Sequence, residues 1–189
     1  NAEQWSGKGG DIYETVKRAF SLCDEHNLEG FEYDADGLGS GVRGDAREIN
    51  EQRKNARAKQ KNVTQFRGSA KVAKPEQEMV KGRKNKDFFL NAKAQGWWAL
   101  RLRFQKTHRA VAEGAEYPPD ELVSLSGDMP SQNLTALMNE LSQPTYTTNA
   151  VGKIVVEKAP SSTKSPNLAD SVMMRYAPSQ SGPSFAAWV

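Results

Sequence analysis

The sequence predicts an α/β fold, and three observations near its start carry that expectation. Val16, Phe20 and Cys23 recur at helical spacing. Residues 31–36 then alternate, with Phe31, Tyr33 and Ala35 on one side and Glu32, Asp34 and Asp36 on the other, which is the period of a strand. The strand runs into the glycine-rich turn Asp36-Gly37-Leu38-Gly39-Ser40-Gly41, and a helix is expected over residues 42–59. Helix, strand, glycine turn and helix in that order are typical of α/β architecture.

Residues 1–6 read as the end of a strand with Trp5 as its last packed side chain. Asp11 is positioned as a helix N-cap, and Glu14 three residues later completes a capping box. Gly30 is placed to stop that helix. Residues 60–86 carry few periodic apolar side chains and read as a long basic loop. Residues 87–111 read as one helix with the stripe Trp97, Leu100, Phe104 and Val111, and with Arg101, Arg103, Lys106 and Arg109 around its polar side. Trp97 and Trp98 fit core and flank better than a platform for stacked bases.

Tyr117-Pro118-Pro119 breaks the pattern, and Leu134, Leu137, Met138 and Leu141 mark a shorter helix ended by Pro144. Residues 145–149 and 153–158 predict a hairpin closed near Gly152. Ser165 is placed to cap a last helix with Pro166 at its first position and Leu168 and Val172 on its inner face. The expected organisation is one domain over residues 1–176 and a flexible Pro-, Ser- and Gly-rich tail over 177–189.

A length of 189 residues suits one compact domain. No apolar run approaches the roughly 20 residues that a membrane span needs, and no signal peptide is visible. The single cysteine, Cys23, excludes a disulfide framework and a cysteine-built zinc site, and His26 and His108 lack ligand spacing. A metal here is therefore expected to be a hard cation on carboxylate oxygens, magnesium or manganese.

The net charge of +3 conceals a marked asymmetry. From Arg53 to Lys86 there are twelve Lys or Arg against only Glu76 and Glu78, a local balance of +10, so the rest carries −7. Such a block is either a solvated loop or the footprint of a polyanion. Its Lys54, Arg57, Lys59, Lys61, Arg67, Lys81, Arg83 and Lys84 are the candidate polyanion contacts, with Lys164 further on as a candidate phosphate contact for which a solvated loop lysine is the plainer reading.

Two places could carry chemistry. Asp34 and Asp36 share one face at a strand end, where side chains of α/β sheets meet a crevice. Two acids so placed repel unless a cation or donors offset them. For Asp36, next to Gly37, capping of the following turn competes evenly with ligation. Asp170 falls on the opening turns of a helix close to its buried stripe, where an acid needs a partner; interaction with the helix dipole is the plain alternative. Gly39-Ser40-Gly41-Val42-Arg43-Gly44 matches a dinucleotide fingerprint, but no second strand ending in an acid is evident about 20 residues on, so that reading is set aside.

Taken together, the stretches from Tyr33 to Val42, from Asn91 to Arg101, and Gly152-Lys153 through Glu157-Lys158 with Ser165-Pro166-Asn167-Leu168-Ala169-Asp170-Ser171 resemble, in order, the nuclease domain of large terminase subunits of tailed double-stranded DNA bacteriophages. The resemblance spans about residues 5–176. It implies an RNase H-like fold, a mixed central sheet flanked by helices with a C-terminal hairpin and final helix. It implies two Mg2+ or Mn2+ ions held by clustered acids, with Asp34 and Asp170 as the second and third catalytic acids and Asp36 as an outer ligand. The family's first acid lies on a strand upstream of the segment matching Asn1 to Trp5 and has no counterpart in this sequence. The implied activity is endonucleolytic cleavage of concatemeric viral DNA during headful packaging, in the host cytoplasm rather than in the mature virion. The implied partners are double-stranded DNA, the ATPase motor domain of the same subunit, the small terminase subunit and the portal protein. No G-x-x-x-x-G-K-[ST] loop occurs in the sequence, so the nuclease part alone is expected here. Two rivals remain: a non-catalytic DNA-binding or assembly module, and a junction-resolving nuclease of the same fold.

Overall fold

The computed structural model describes residues 12–36, 41–157 and 166–179. The chain packs as two compact units, one over residues 3–68 and one built from residue 69 onward. The first holds α1 (Ile12–Glu25), β1 (Gly30–Asp34), α2 (Val42–Asn55) and β2 (Asn62–Phe66). Helix α1 buries Val16, Phe20 and Cys23, as their spacing predicts. Val16 and Phe20 pack with Ala46 and Ile49 of α2, and Phe31 and Val63 close the cluster from the strands. Burying each such side chain stabilises by roughly 1.5–3 kcal/mol, which is what holds two helices on so small a sheet.

Strands β1 and β2 pair in parallel, Gly30 opposite Asn62 and Asp34 opposite Phe66. With α2 between them they form a βαβ unit, so a second strand does follow the glycine turn, contrary to the sequence expectation. It is followed by Arg67 rather than by the acid that a dinucleotide site needs. Gly30 also has a different reason from the one expected. Helix α1 ends at Glu25 and turns through Asn27 at φ 52°. Gly30 instead opens β1, where a Cβ would stand 1.8 Å from the Asn62 carbonyl oxygen.

The basic segment 60–86 is a loop over most of its length, as expected, with β2 near its start and the first residues of the short helix Asn85–Phe88 at its end. After β2, two buried amides organise it. Gln95 accepts from Ala73 N at 2.7 Å and donates to Ala73 O at 3.0 Å. Asn85 donates to Lys74 O and accepts from Met79 N, both at 3.0 Å. Polar side chains hold this stretch, so hydrophobic periodicity carries no trace of it.

The second unit contains α3 (Asn85–Phe88), α4 (Ala92–Glu113), a 3-10 turn at Pro119–Glu121, α5 (Ser131–Leu141), β3 (Thr145–Thr148), β4 (Ile154–Glu157) and α6 (Asn167–Tyr176). The single helix expected over 87–111 is broken. Phe89 is extended and bridges Ile154, Leu90 N donates to Ile154 O at 3.0 Å, and the Asn91 side chain caps α4 by accepting from Ala94 N at 3.0 Å. Phe89, Ala94 and Ile154 form the core there. The stripe holds at Trp97 and Leu100 and fails at Val111, which is 84% exposed, because only the first half of α4 is covered.

The hairpin forms as predicted, β3 antiparallel to β4 with Thr148 opposite Ile154 and Gly152 at φ 77° in its turn. Strands of the described residues thus make one parallel and one antiparallel pair within a mixed α/β class. In α6 the buried residues are Ala169 and Met173, one position beyond the expected Leu168 and Val172, and Pro166 is the cap rather than the first helical residue. Gly96 of α4 explains the rotation: a Cβ there would lie 2.6 Å from the Met173 sulfur, so the missing side chain makes room for that face of α6. The expected strand end at 1–6, the caps at Asp11 and Ser165, and the tail beyond residue 179 lie outside the described residues.

Candidate metal centre and nucleic-acid contacts

Asp34 closes β1 and is exposed. Its Oδ1 accepts from Asp36 N at 2.9 Å, so this carboxylate shapes the turn that carries Asp36. A parallel strand end with two carboxylates two residues apart offers hard oxygen donors without any nitrogen or sulfur.

Asp170 stands in the first turn of α6. Pro166 makes no side-chain cap, and Glu140 of α5 supplies one instead. Its Oε2 accepts from Leu168 N at 2.7 Å and Ala169 N at 3.0 Å, which anchors the first turn of the helix. The Asp170 side chain is about one-fifth exposed, and Lys93 Nζ of α4 lies 3.6 Å from its Oδ1. Neither Lys93 nor Glu140 follows from the motif spacing. The one sequence signal is a lysine in the first turn of a helix, where the dipole disfavours it.

Among the described residues no group of three or more His, Cys, Asp or Glu stands together as a metal cluster. Cys23 is buried, and burial pushes its thiol pKa up, away from the thiolate a metal would need. The groove of about 730 Å³ in the second unit, bordered by Trp97, Arg101, Phe104, Met138 and Tyr146, has neither Asp34 nor Asp170 in its lining.

The candidate DNA contacts divide by environment. Lys61 is corrected: it is 7% exposed, its ammonium 2.9 Å from Asp24 and donating to Leu28 O at 2.9 Å, so it is an internal structural cation. Hydrogen bonds from Arg53 and then Lys61 hold the Asp24 carboxyl down at about 2. Lys59 pairs with Glu29, and Lys84 with Glu76, whose pKa is lowered to about 2 first by Lys86 and then by Lys84. Lys54, Arg57 and Lys81 are exposed. Arg67 is exposed as well, and the exposed Arg83 lies over the Phe88 ring at 5.7 Å. Lys164 lies outside the described residues.

The chain was compared with known proteins. No family model and no curated protein matches it. Solved structures do match. The nuclease domain of the large terminase subunit gp2 of bacterial virus Sf6 is 30% identical with a TM-score of 0.76, over 87% of this chain and 71% of that one. A lysine-to-alanine variant of the same domain, solved with manganese, is 31% identical with a TM-score of 0.75, over 87% and 72%. This chain belongs to the family of large terminase nuclease domains. A further form of the Sf6 domain was solved with calcium, at 31% identity and a TM-score of 0.75 over 87% and 71%. Two of these Sf6 structures thus contain a divalent cation, and each unit of this chain carries carboxylates of the kind such an ion takes. Asp34 and Asp36 present carboxylate oxygens at a strand end, and the Asp170 oxygen already faces a positive charge. No helix among the described residues is long and apolar enough to cross a membrane.

Proposed function

We propose that this terminase nuclease domain is a metal-dependent endonuclease that cleaves concatemeric double-stranded viral DNA during headful packaging. The observation that carries the reading is the acid chemistry. Asp34 at the end of a parallel strand and Asp170 on an anchored helix start are carboxylates of the kind that hold Mg2+ or Mn2+, and the similar Sf6 nuclease domain has been solved with manganese and with calcium. Two divalent ions would supply an activated water and Lewis-acid stabilisation of the leaving oxygen. Asp34 and Asp170 act as their ligands and Asp36 as an outer one. Glu140 fixes the turn that presents Asp170. Lys54, Arg57, Arg67, Lys81, Arg83 and Lys164 neutralise backbone phosphates, giving affinity without sequence choice. Lys59 and Lys84 contribute where the DNA competes with their carboxylate partners. The ATPase motor of the same subunit, the small terminase subunit and the portal are the partners that this role requires in the infected bacterial cell.

The test is plasmid cleavage in Mn2+ by the Asp34→Asn and Asp170→Asn variants. Each should lose cutting while retaining DNA binding, and undiminished cutting by either removes that residue from the mechanism. A wild-type chain that binds DNA without any metal-dependent cleavage would instead be the assembly module, and a strong preference for branched over linear DNA would indicate a junction-resolving enzyme.

A further inference from the structure

Lys93 is a cation where helix chemistry disfavours one. It is the second residue of α4, whose first turn contains no acid and where the positive end of the helix dipole repels an ammonium. On a freely solvated face the side chain could extend into water. Instead its side chain is only 23% exposed and its Nζ lies 3.6 Å from Asp170 Oδ1. Both ends of this pair are fixed by the fold. Asn91 caps α4 two residues before Lys93. Glu140 holds the two backbone amides just before Asp170. Gly96, three residues after Lys93, admits Met173, three residues after Asp170. Departures from local rules that the surrounding structure enforces are characteristic of functional sites.

We propose that Lys93 is a positioning residue for the nuclease centre. Its ammonium orients the Asp170 carboxylate and stands beside the oxygen that a divalent cation takes up, so that metal loading at Asp170 exchanges one positive charge for another. A partly buried carboxylate needs a countercharge in the metal-free protein, and Lys93 provides it. Once the ion is bound, the same ammonium repels it. Lys93 therefore stabilises the metal-free domain and weakens its hold on the ion, which keeps the centre from loading firmly before substrate arrives. This inference rests on Asp170 being a metal ligand.

The experiment is Mn2+ titration by calorimetry on the full chain, paired with thermal melting in EDTA and in Mn2+, for Lys93→Met, Lys93→Arg and Asp170→Asn. A partly exposed ion pair of this kind corresponds to up to about a fivefold effect on affinity. Lys93→Met should bind Mn2+ a few-fold tighter, up to about fivefold, melt lower than wild type in EDTA, and gain more from added Mn2+. Lys93→Arg should restore the wild-type values. A merely structural lysine would lower the melting temperature without moving Mn2+ affinity, and unchanged or weakened binding overturns the proposal. If Lys93→Met does not fold, Lys93→Gln takes its place in the same comparison. Wild-type Mn2+ binding by Asp170→Asn would remove Asp170 from the metal altogether. Failure of the Lys93 proposal alone leaves that dependence on Asp170 intact.

Discussion

Replacing Gly30 by alanine tests how closely β1 and β2 must approach. The added methyl carbon would lie 1.8 Å from the Asn62 carbonyl oxygen and 2.6 Å from its carbon, where real Cβ atoms essentially never come within 3.0 Å. The obstructing atoms are backbone, so no rotamer relieves the clash, and β2 must retreat by more than about 1 Å at its first residue, judged against ordinary packing distances. The hydrogen bond from Asn62 N to Glu29 O, now 2.9 Å, would stretch beyond bonding range. Losing one or two ladder bonds at roughly 1 kcal/mol each, with some packing strain, is partly offset by the lower chain entropy of alanine, leaving about 1–3 kcal/mol of destabilisation. For a chain of this length that is a fall in melting temperature on the order of 3–10 °C. Gly44 is the control: it is an exposed residue of α2 whose added methyl meets nothing within 4 Å, so Gly44→Ala should raise stability by up to about 1 kcal/mol. Urea unfolding of both variants decides the matter. A Gly30→Ala protein as stable as wild type would refute the close-approach reasoning.

Three further outcomes follow from the same geometry. Phe89→Ala, removing one of the largest fully buried side chains, should cost about 3–5 kcal/mol, and a loss under 1 kcal/mol in chemical denaturation would contradict its core role. Lys61→Met should leave DNA affinity and its salt dependence unchanged, because Lys61 is buried against Asp24, whereas Lys81→Ala should reduce the slope of log affinity against log salt by about 1 in a filter-binding titration. Equal slopes for the two variants would return Lys61 to the DNA surface. The Asp24 and Glu76 carboxyls, ordinarily at 3.8 and 4.5, are each lowered to about 2 by their cationic partners. A depressed folded pKa stabilises above the unfolded value, so this contribution is complete above about pH 5 and disappears as pH falls toward 2. Denaturant midpoints that rise between pH 5 and 3 would reverse that sign.

Much of the candidate site was legible because it rests on short-range chemistry. Strand alternation put Asp34 on the exposed face of a strand, and a proline-marked helix start put Asp170 in a first turn; both placements are observed, while Asp36 lies beyond the end of β1 in a turn whose amide donates to Asp34. The hairpin was legible for the same reason, since Gly152 supplies the positive φ its turn needs. The basic segment reads correctly as a loop over most of its length, but β2 inside it and its anchoring by Gln95 and Asn85, buried polar residues with backbone partners in residues 73–79, leave no apolar periodicity to read. The break before α4 was missed because Phe89 and Leu90 look helical until Ile154 offers a strand partner.

The sequence by itself determined the α/β class, the helical and strand faces and the order of the motifs, because these follow from the periods of 3.6 and 2 and from which residues tolerate a cap or turn. Only the tertiary structure decided that Lys61 is an internal cation, that Glu140 caps a helix 28 residues away, and that Lys93 stands against Asp170. Those pairings depend on through-space distance, and an ion pair or a backbone amide gives no sign along the chain of which distant partner it will meet.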